Sequence, residues 1–214
     1  MNGLADRRRE EKERRRDEIL DAAADVAAET GFDAITMDQV ARKARLSRAL
    51  VYVYFRDKMD MHFALCGRAL ELLLQRFGEA IAAQPTGRDE LKAMGLAYVS
   101  FSQQQPVYFE ALARFEARET TTYADNPNYT ACLDTGDRLH GVMTAAIHRG
   151  IADESIRADV GDPDAVAITL WGFMHGTIQV TATKGALLVR RGTSAEALFD
   201  QALQLALHAL SPKT

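Results

Sequence analysis

The chain has 214 residues, of which 47% are hydrophobic and 26% charged, a balance that allows a buried core in one large domain or two small ones. No apolar run approaches the roughly 20 residues of a membrane helix, and the charged first residues do not form a secretory signal, so we expect a cytoplasmic protein with no membrane association. The net charge of −4 argues against a uniformly basic nucleic-acid-binding protein.

Residues 1–16 mix arginine clusters with glutamates and contain few apolar side chains. This composition predicts a charged, flexible arm that is disordered at its start. Such an arm either reaches DNA phosphates or the minor groove, or serves as a solubilising tail, and the residues favour neither alternative.

Helical patterns follow from residue 17, and alternating strand patterns are hard to find. A first amphipathic helix ends at Gly31, as glycine favours. Thr36 and Gln39 have the spacing of a capping box and predict a short second helix. Ser47 caps a short third helix, and Asp57 caps a long fourth one. The sequence therefore predicts three N-terminal helices followed by a longer helix.

The two short helices at residues 36–55 predict a helix-turn-helix whose second helix enters the major groove of DNA. Residues 39–58 hold six basic side chains and one acidic one, the local charge expected of a DNA-reading module. Arg48 lies at the tip of the second helix, where it can contact guanine O6 and N7. Hydroxyl groups and free amides at the two helix starts suit phosphate, and two tyrosines and a lysine can clamp the DNA backbone.

Six segments carry a resemblance to a known family: Ile19–Ala23, Glu29–Phe32, Thr36–Ala41, Leu46–Ser47, Val51–Phe55 and Asp57–Lys58. Over about residues 17–62, which contain them, the sequence resembles the tetracycline-repressor (TetR) family. The resemblance implies an all-α fold, with an N-terminal three-helix helix-turn-helix domain and a larger helical C-terminal domain for ligand binding and dimerisation. It implies a homodimer on a palindromic operator in double-stranded DNA, usually as a repressor.

The resemblance also implies a role for each residue of the motif: phosphate contacts at the first cap and the lysine, base contacts early in the second helix, and backbone anchoring by the tyrosines. Two positions depart from the family pattern. Arg45 replaces the usual glycine of the turn, at a cost of order 1 kcal/mol if the turn needs a positive φ, and a phosphate contact would offset it. Leu50 replaces a small polar residue. The candidate DNA-binding residues are Thr36, Arg45, Ser47, Arg48, Ala49, Leu50, Tyr52, Tyr54 and Lys58.

Five further helices are expected after residue 87, at about 88–103, 106–117, 128–149, 163–183 and 193–209. Thr193 and Glu196 have capping-box spacing and predict the start of the last one. That helix has two apolar stripes, one of Leu198, Ala202, Leu205 and Ala209 and another of Leu203, Leu207 and Leu210. Because both stripes must be buried, we expect the last two helices to form a homodimer interface.

The C-terminal helices are rich in aromatic and methionine residues, which predict an apolar pocket for a small hydrophobic or aromatic effector. Ordinary core packing is the alternative for each of them. The five scattered histidines lack the spacing and carboxylate partner of a metal site, so neither metal nor cofactor is expected. The candidate ligand-binding residues are Met94, Tyr98, Phe101, Phe109, His140, Trp171 and His175.

The chain is therefore expected to divide into an arm (1–16), a helix-turn-helix domain (17–60) and a ligand-binding and dimerisation domain (61–214). The expected function is a ligand-responsive transcriptional regulator, a repressor released from its operator by an apolar effector. A transcriptional activator and an effector-independent DNA-binding protein are the alternatives. No nucleophile elbow, phosphate-binding glycine loop or metal signature supports an enzyme. Cys66 and Cys132 are expected to be buried reduced thiols, with a redox switch as the alternative.

Overall fold

The computed structural model describes residues 3–117 and 123–212, and these form ten α-helices and no β-strand. The chain divides into two compact units, one of residues 1–69 and 107–133 and the other of residues 70–106 and 134–214. The helices are α1 (Gly3–Thr30), α2 (Met37–Lys43), α3 (Arg48–Tyr54), α4 (Lys58–Ile81), α5 (Gly87–Gln104), α6 (Pro106–Glu116), α7 (Pro127–Ala152), α8 (Pro163–Thr183), α9 (Gly185–Arg190) and α10 (Ala195–Leu210).

Helix α1 is longer than the sequence suggests. It begins at Gly3, so residues 3–16 are helical where a flexible arm was expected. The reason lies in the order of the charges rather than their number. Arg14 pairs with both Glu11 and Glu18, and the Arg15 Nη1 atom lies 2.7 Å from a Glu18 carboxylate oxygen. Each such i,i+3 or i,i+4 pair stabilises a helix by a few tenths of a kcal/mol, roughly.

Helices α2 and α3 form the helix-turn-helix that the sequence predicts. The capping box at the start of α2 is confirmed: the Gln39 amide donates to the Thr36 hydroxyl at 3.2 Å, and the Thr36 amide donates to the Gln39 side chain at 2.7 Å. Ser47 caps α3 by accepting from the Leu50 amide at 3.2 Å. Val40 and Val51 are fully buried in the core that both helices share with α1.

The turn between α2 and α3 needs the left-handed conformation that is usual for glycine. Arg45 has φ 57°. Its amide donates to the Arg42 carbonyl at 3.1 Å, and the Leu46 amide donates to the Ala41 carbonyl at 2.9 Å. These two bonds are the Schellman pattern that ends helices at a left-handed residue. The strained turn expected from the missing glycine is therefore present.

The first unit extends beyond the boundary expected at residue 60, because parts of α4, α6 and α7 pack with the helix-turn-helix. Arg114 of α6 donates two hydrogen bonds, of 2.8 and 3.0 Å, to the carboxylate of Asp33. Phe63 of α4 lies at the centre of an aromatic cluster, with ring centroids 5.3 Å from Tyr129 and 6.0 Å from Phe115. These contacts join residues 61–69 and 107–133 to the unit that contains the helix-turn-helix.

The second unit is built on α5, α8 and α10, which pack against one another. Gly87, at the start of α5, lies against the backbone of Ala146 and Gly150 in α7 and leaves no room for a side chain. The Gly87 amide donates to Asp153 at 2.8 Å. Glu90 is buried and pairs with Arg149. These contacts fix the start of α5 to the end of α7.

The last helices differ in detail from the prediction. A sixth C-terminal helix, α9, occupies a stretch expected to be a loop. The residue that caps α10 is Ser194, which accepts from the Ala197 amide at 3.1 Å, so the capping box expected from Thr193 does not form. Leu205 is 54% exposed, whereas Ala202 of the same expected stripe is buried. No helix among the described residues is long and apolar enough to cross a membrane.

Candidate DNA-binding surface and effector cavity

The exposed face of α3 is the candidate DNA-reading surface. Ser47, Arg48, Ala49 and Tyr52 are exposed. Leu50 is half-buried, and the half-buried Tyr54 packs against the core. The polar and small side chains therefore face outward at the start of the helix, where a recognition helix contacts base edges.

Arg48 is held in place by two neighbours in this surface. Its Nε atom lies 3.2 Å from Asp38 Oδ1, and its Nη1 atom donates to Asp38 Oδ2 at 3.3 Å. The guanidinium also lies over the Tyr52 ring, 5.4 Å from the centroid. The hydrogen bond to Tyr52 and the charge of Asp38 raise the pKa of Arg48. The arginine is thus exposed and charged, and a base contact requires it to leave Asp38.

The candidate phosphate-binding groups have partners within the first unit. The Thr36 and Ser47 hydroxyls serve the helix caps described above. Lys58 donates from Nζ to the Asp33 carbonyl at 2.7 Å. Arg45 is exposed at the turn. Of these charged groups, Arg45 has the side chain most open to an approaching phosphate.

A separate cavity of about 40 Å³ lies within the second unit. It is smaller than a usual small-molecule site of roughly 300–1,000 Å³, so a ligand of that size requires the surrounding side chains to move apart. The Tyr98 ring stacks on Trp171 with centroids 4.6 Å apart and planes 14° from parallel. The lining is almost wholly apolar: Phe77, Leu91, Met94, Gly95, Tyr98, Met143, Leu170, Trp171, Met174, Leu203, Ala206, Leu207 and Leu210.

Two histidines adjoin the aromatic wall of this cavity. His175 Nδ1 lies 2.7 Å from the Tyr98 hydroxyl, and burial lowers the pKa of His175. His140 meets the Trp171 ring edge-on, with centroids 5.6 Å apart, and burial lowers its pKa as well. Both shifts favour neutral imidazoles beside the cavity.

Comparison with known proteins adds two matches that lie one after the other along the chain. Residues 19–65 match the family described as "Bacterial regulatory proteins, tetR family", and residues 91–206 match "Tetracyclin repressor-like, C-terminal domain". The second match alone spans more than half of the chain. This protein belongs to the TetR family.

Relatives of this TetR-family protein include a transcriptional activator and a transcriptional repressor. It is 28% identical over 90 residues to the HTH-type transcriptional activator FasR of Mycolicibacterium smegmatis (strain ATCC 700084 / mc(2)155), covering 42% of this chain and 41% of FasR. It is 30% identical over 105 residues to the HTH-type transcriptional repressor KstR of the same organism, covering 49% of this chain and 52% of KstR. The chain thus spans about half the length of these relatives or less.

Among solved structures, the transcriptional regulator FadR from Bacillus subtilis in complex with stearoyl-CoA is similar over 90% of this chain and 98% of that one. The TM-score is 0.70 at 18% sequence identity. At this identity the likeness establishes a shared fold. The TetR-family protein therefore has the all-helical architecture of its family.

The effector residues expected from the sequence fall into three groups. Met94, Tyr98 and Trp171 line the cavity, and His140 and His175 touch its aromatic wall. Phe101 is fully buried in the second unit but does not line the cavity, and Arg76 lies over its ring. Phe109 belongs to the first unit, away from the cavity lining, because α6 packs with the helix-turn-helix. Helical periodicity predicts that such residues are buried but not which core they join.

Val53 is a candidate that the sequence reasoning missed. It lies on α3 and is 72% exposed, although valine is usually buried. It follows Ala49 by one helical turn, so the i,i+4 spacing places both on one face. An apolar side chain there can contact a thymine methyl group.

Among the described residues, no three acidic, histidine or cysteine side chains gather in a way that would hold a metal ion.

Proposed function

We propose that this TetR-family protein acts in the cytoplasm as a repressor, binds a palindromic operator as a homodimer, and leaves DNA when a mainly apolar effector occupies the cavity of the second unit. The cavity beside Tyr98 and Trp171 is the observation that carries the effector part of the proposal. The exposed face of α3 supports the DNA part. The names of the relatives include both an activator and a repressor, and the direction of regulation depends on where the operator lies relative to the promoter.

Exposed apolar side chains support the homodimer. Ile168 and Phe173 of α8 are 58% and 40% exposed, and Leu205 of α10 is 54% exposed. Because α8 packs on α10, two copies of this pair would bury these side chains in a four-helix interface. An isologous dimer presents two reading helices related by two-fold symmetry, and such a pair requires a two-fold operator.

The lining of the cavity supports an effector with a long acyl chain. Three methionines, Met94, Met143 and Met174, line it together with leucines, and methionine adapts its shape to flexible apolar ligands. The fold shared with FadR, which was solved with stearoyl-CoA, makes acyl-CoA thioesters the first class to test. Steroids are the second class, since a neighbour of 0.65 TM-score is named for ketosteroids.

The release mechanism rests on reciprocal coupling between the two ligands. An effector releases DNA only if it binds more tightly to the conformation with low operator affinity, and DNA must then weaken effector binding by the same factor. Helices α4 and α7 each pass from the first unit into the second. We propose that they transmit the change in conformation.

The single tryptophan of the chain makes the test direct, because Trp171 lines the cavity. Acyl-CoA thioesters of increasing length are titrated against the purified protein while Trp171 fluorescence is recorded, and the same samples are tested in gel shifts on DNA flanking the gene. We expect saturable quenching at a ligand concentration that also releases the DNA. Quenching without release would support an effector-independent role in DNA binding, and neither effect with acyl or steroid ligands would reject the proposed effector classes.

A further inference from the structure

The two cysteines of the chain meet inside the first unit. Cys66 of α4 and Cys132 of α7 are both fully buried, and their sulfur atoms lie 2.9 Å apart, with the Cys132 thiol donating to Cys66. A disulfide has a sulfur–sulfur distance of about 2 Å, so less than about 1 Å of approach separates the thiols from a covalent bond. Sixty-five residues of sequence separate these cysteines, and packing alone brings them together.

The contacts around this pair hold the two helices in one register. Asn128 donates to Asp60 at 2.7 Å, and the rings of Phe63 and Tyr129 lie 5.3 Å apart. Along α4 the contact positions are 60, 63 and 66, and along α7 they are 128, 129 and 132. Because both series rise together, α4 and α7 run side by side in the same direction here. The two thiols therefore face each other within an ordered helix–helix contact.

We propose that Cys66 and Cys132 are a redox modification site, in which a peroxide joins α4 to α7 by a disulfide and so makes operator binding insensitive to the effector. The regulatory consequence rests on the proposed function, whereas formation of the bond does not. The bond ties together the two helices that carry the chain from the DNA-binding unit into the effector unit. A cross-linked pair can no longer shift in response to the cavity.

The chemistry balances with hydrogen peroxide as the oxidant. One thiolate attacks a peroxide oxygen, the O–O bond breaks, and water leaves after protonation, which produces a sulfenic acid. The second thiol attacks that sulfur, the S–O bond breaks, and a second water leaves as the S–S bond forms. The two sulfurs together lose two electrons to the peroxide, and both thiol protons end in water.

The surroundings of the pair set the speed of this reaction. Burial raises the pKa of the Cys66 thiol well above its ordinary value, so the thiolate is scarce at neutral pH, and thiolate is the reactive form. The site therefore oxidises more slowly than an exposed, low-pKa cysteine. It responds to sustained oxidising conditions rather than to a brief pulse.

The first arm of the test measures the bond alone. The full-length protein is incubated with hydrogen peroxide, unfolded in an alkylating reagent, and its thiols are counted and mapped by peptide mass spectrometry. We expect two thiols per chain before treatment, none after it, recovery with dithiothreitol, and a peptide pair joined through Cys66 and Cys132. Thiols that persist, overoxidise to sulfinic acid or link separate chains would overturn the proposal. This arm needs no variant.

The second arm measures the regulatory effect in reduced and oxidised protein. It compares the affinity for the DNA flanking the gene with and without the acyl-CoA thioester that releases this DNA. Allosteric ligands change affinity by roughly 5–150-fold. We expect the ratio of DNA affinity without effector to DNA affinity with effector to fall to about one after oxidation. Cys132→Ala is the matched control, since it keeps Cys66 but cannot form the bond, and its ratio should survive peroxide. An oxidised, disulfide-bonded protein that retains the full ratio would refute the switch. A reduced protein with no effector response would count against the proposed function instead, with the first arm unaffected.

Discussion

Arg48 and Asp38 form an ion pair between the two helices of the helix-turn-helix, with the Arg48 Nε atom 3.2 Å from Asp38 Oδ1. Both side chains are largely exposed, at 61% and 49%, so the pair contributes little to stability. Its importance is functional, because it holds the candidate base-reading side chain over Tyr52 in the absence of DNA. To bind a guanine, Arg48 must leave Asp38 and contact the edge of the base instead.

Replacement of Arg48 by alanine should relax base preference at one position of each operator half-site by about 1–3 kcal/mol, the usual value of a bidentate arginine–guanine contact. The measurement is a set of gel shifts on operators substituted one base pair at a time. Arg190→Ala, which removes an exposed arginine of the second unit, controls for loss of charge. Unchanged base preference in Arg48→Ala would remove this residue from base reading.

Replacement of Asp38 by asparagine should have the opposite effect on affinity. The change frees Arg48 from its partner and removes a negative charge next to the DNA phosphates, so we expect tighter operator binding with the base preference retained. Titrations of wild type and Asp38→Asn at the same salt concentration provide the comparison. Weaker binding would indicate that Asp38 orients Arg48 for contact rather than withholding it.

Arg45 provides a third prediction, since it is one of two non-glycine residues described with positive φ, the other being Glu154 at φ 62°. Asparagine tolerates this conformation better than other side chains, so Arg45→Asn and Glu154→Asn should each raise the free energy of unfolding by about 0.5–1 kcal/mol. Only Arg45→Asn should also weaken DNA binding and reduce the salt slope by about 1, the loss of one phosphate contact. An unchanged slope would leave Arg45 with a structural role only.

The local signals of the fold were predictable from sequence, because they act over three or four residues. The caps by Thr36 and Ser47 follow from side chains that reach the next amides, and the bond from the Asp60 amide to Asp57 follows the same rule. Gly31 has the expected left-handed conformation, with φ 78°. The need for positive φ at Arg45 was predictable only through the family resemblance, since arginine itself does not indicate it.

Features that depend on tertiary packing were not predictable. The sequence identifies Phe109 as buried but not which unit it joins, and it places Cys66 and Cys132 far apart although their sulfurs meet. Composition suggested disorder before residue 17, whereas the order of charges along one helix face supports α1. The cavity was expected, and three of its lining residues were named, but the leucines that α10 contributes to the lining depend on how that helix is rotated against α5.

The His175–Tyr98 contact predicts a pH dependence of stability. Because burial lowers the pKa of His175, the unfolded chain binds a proton more readily than the folded one, starting near the ordinary histidine value of about 6.5. The contribution of neutral His175 to the free energy of unfolding should have its full value above that pH and should fall as the pH drops below it. In urea unfolding, the free energy of unfolding should fall less between pH 7.5 and pH 5.5 in His175→Gln than in wild type. His148→Gln, at an exposed position, is the control and should lose as much as wild type.

Gly87 and Gly78 offer a matched pair that tests the packing around the effector unit. A methyl group on Gly87 would overlap the backbone of Gly150 and Ala146, whereas one on Gly78 would meet nothing within 4 Å. Because backbone cannot yield as a flexible side chain can, Gly87→Ala should separate α5 from α7 and lower the free energy of unfolding by more than about 3 kcal/mol. Gly78→Ala, at an exposed position in the last turn of α4, should raise it by at most about 0.5–1 kcal/mol through helix propensity. Chemical unfolding followed by circular dichroism measures both, and similar small changes in the two variants would contradict the close approach of α5 to α7.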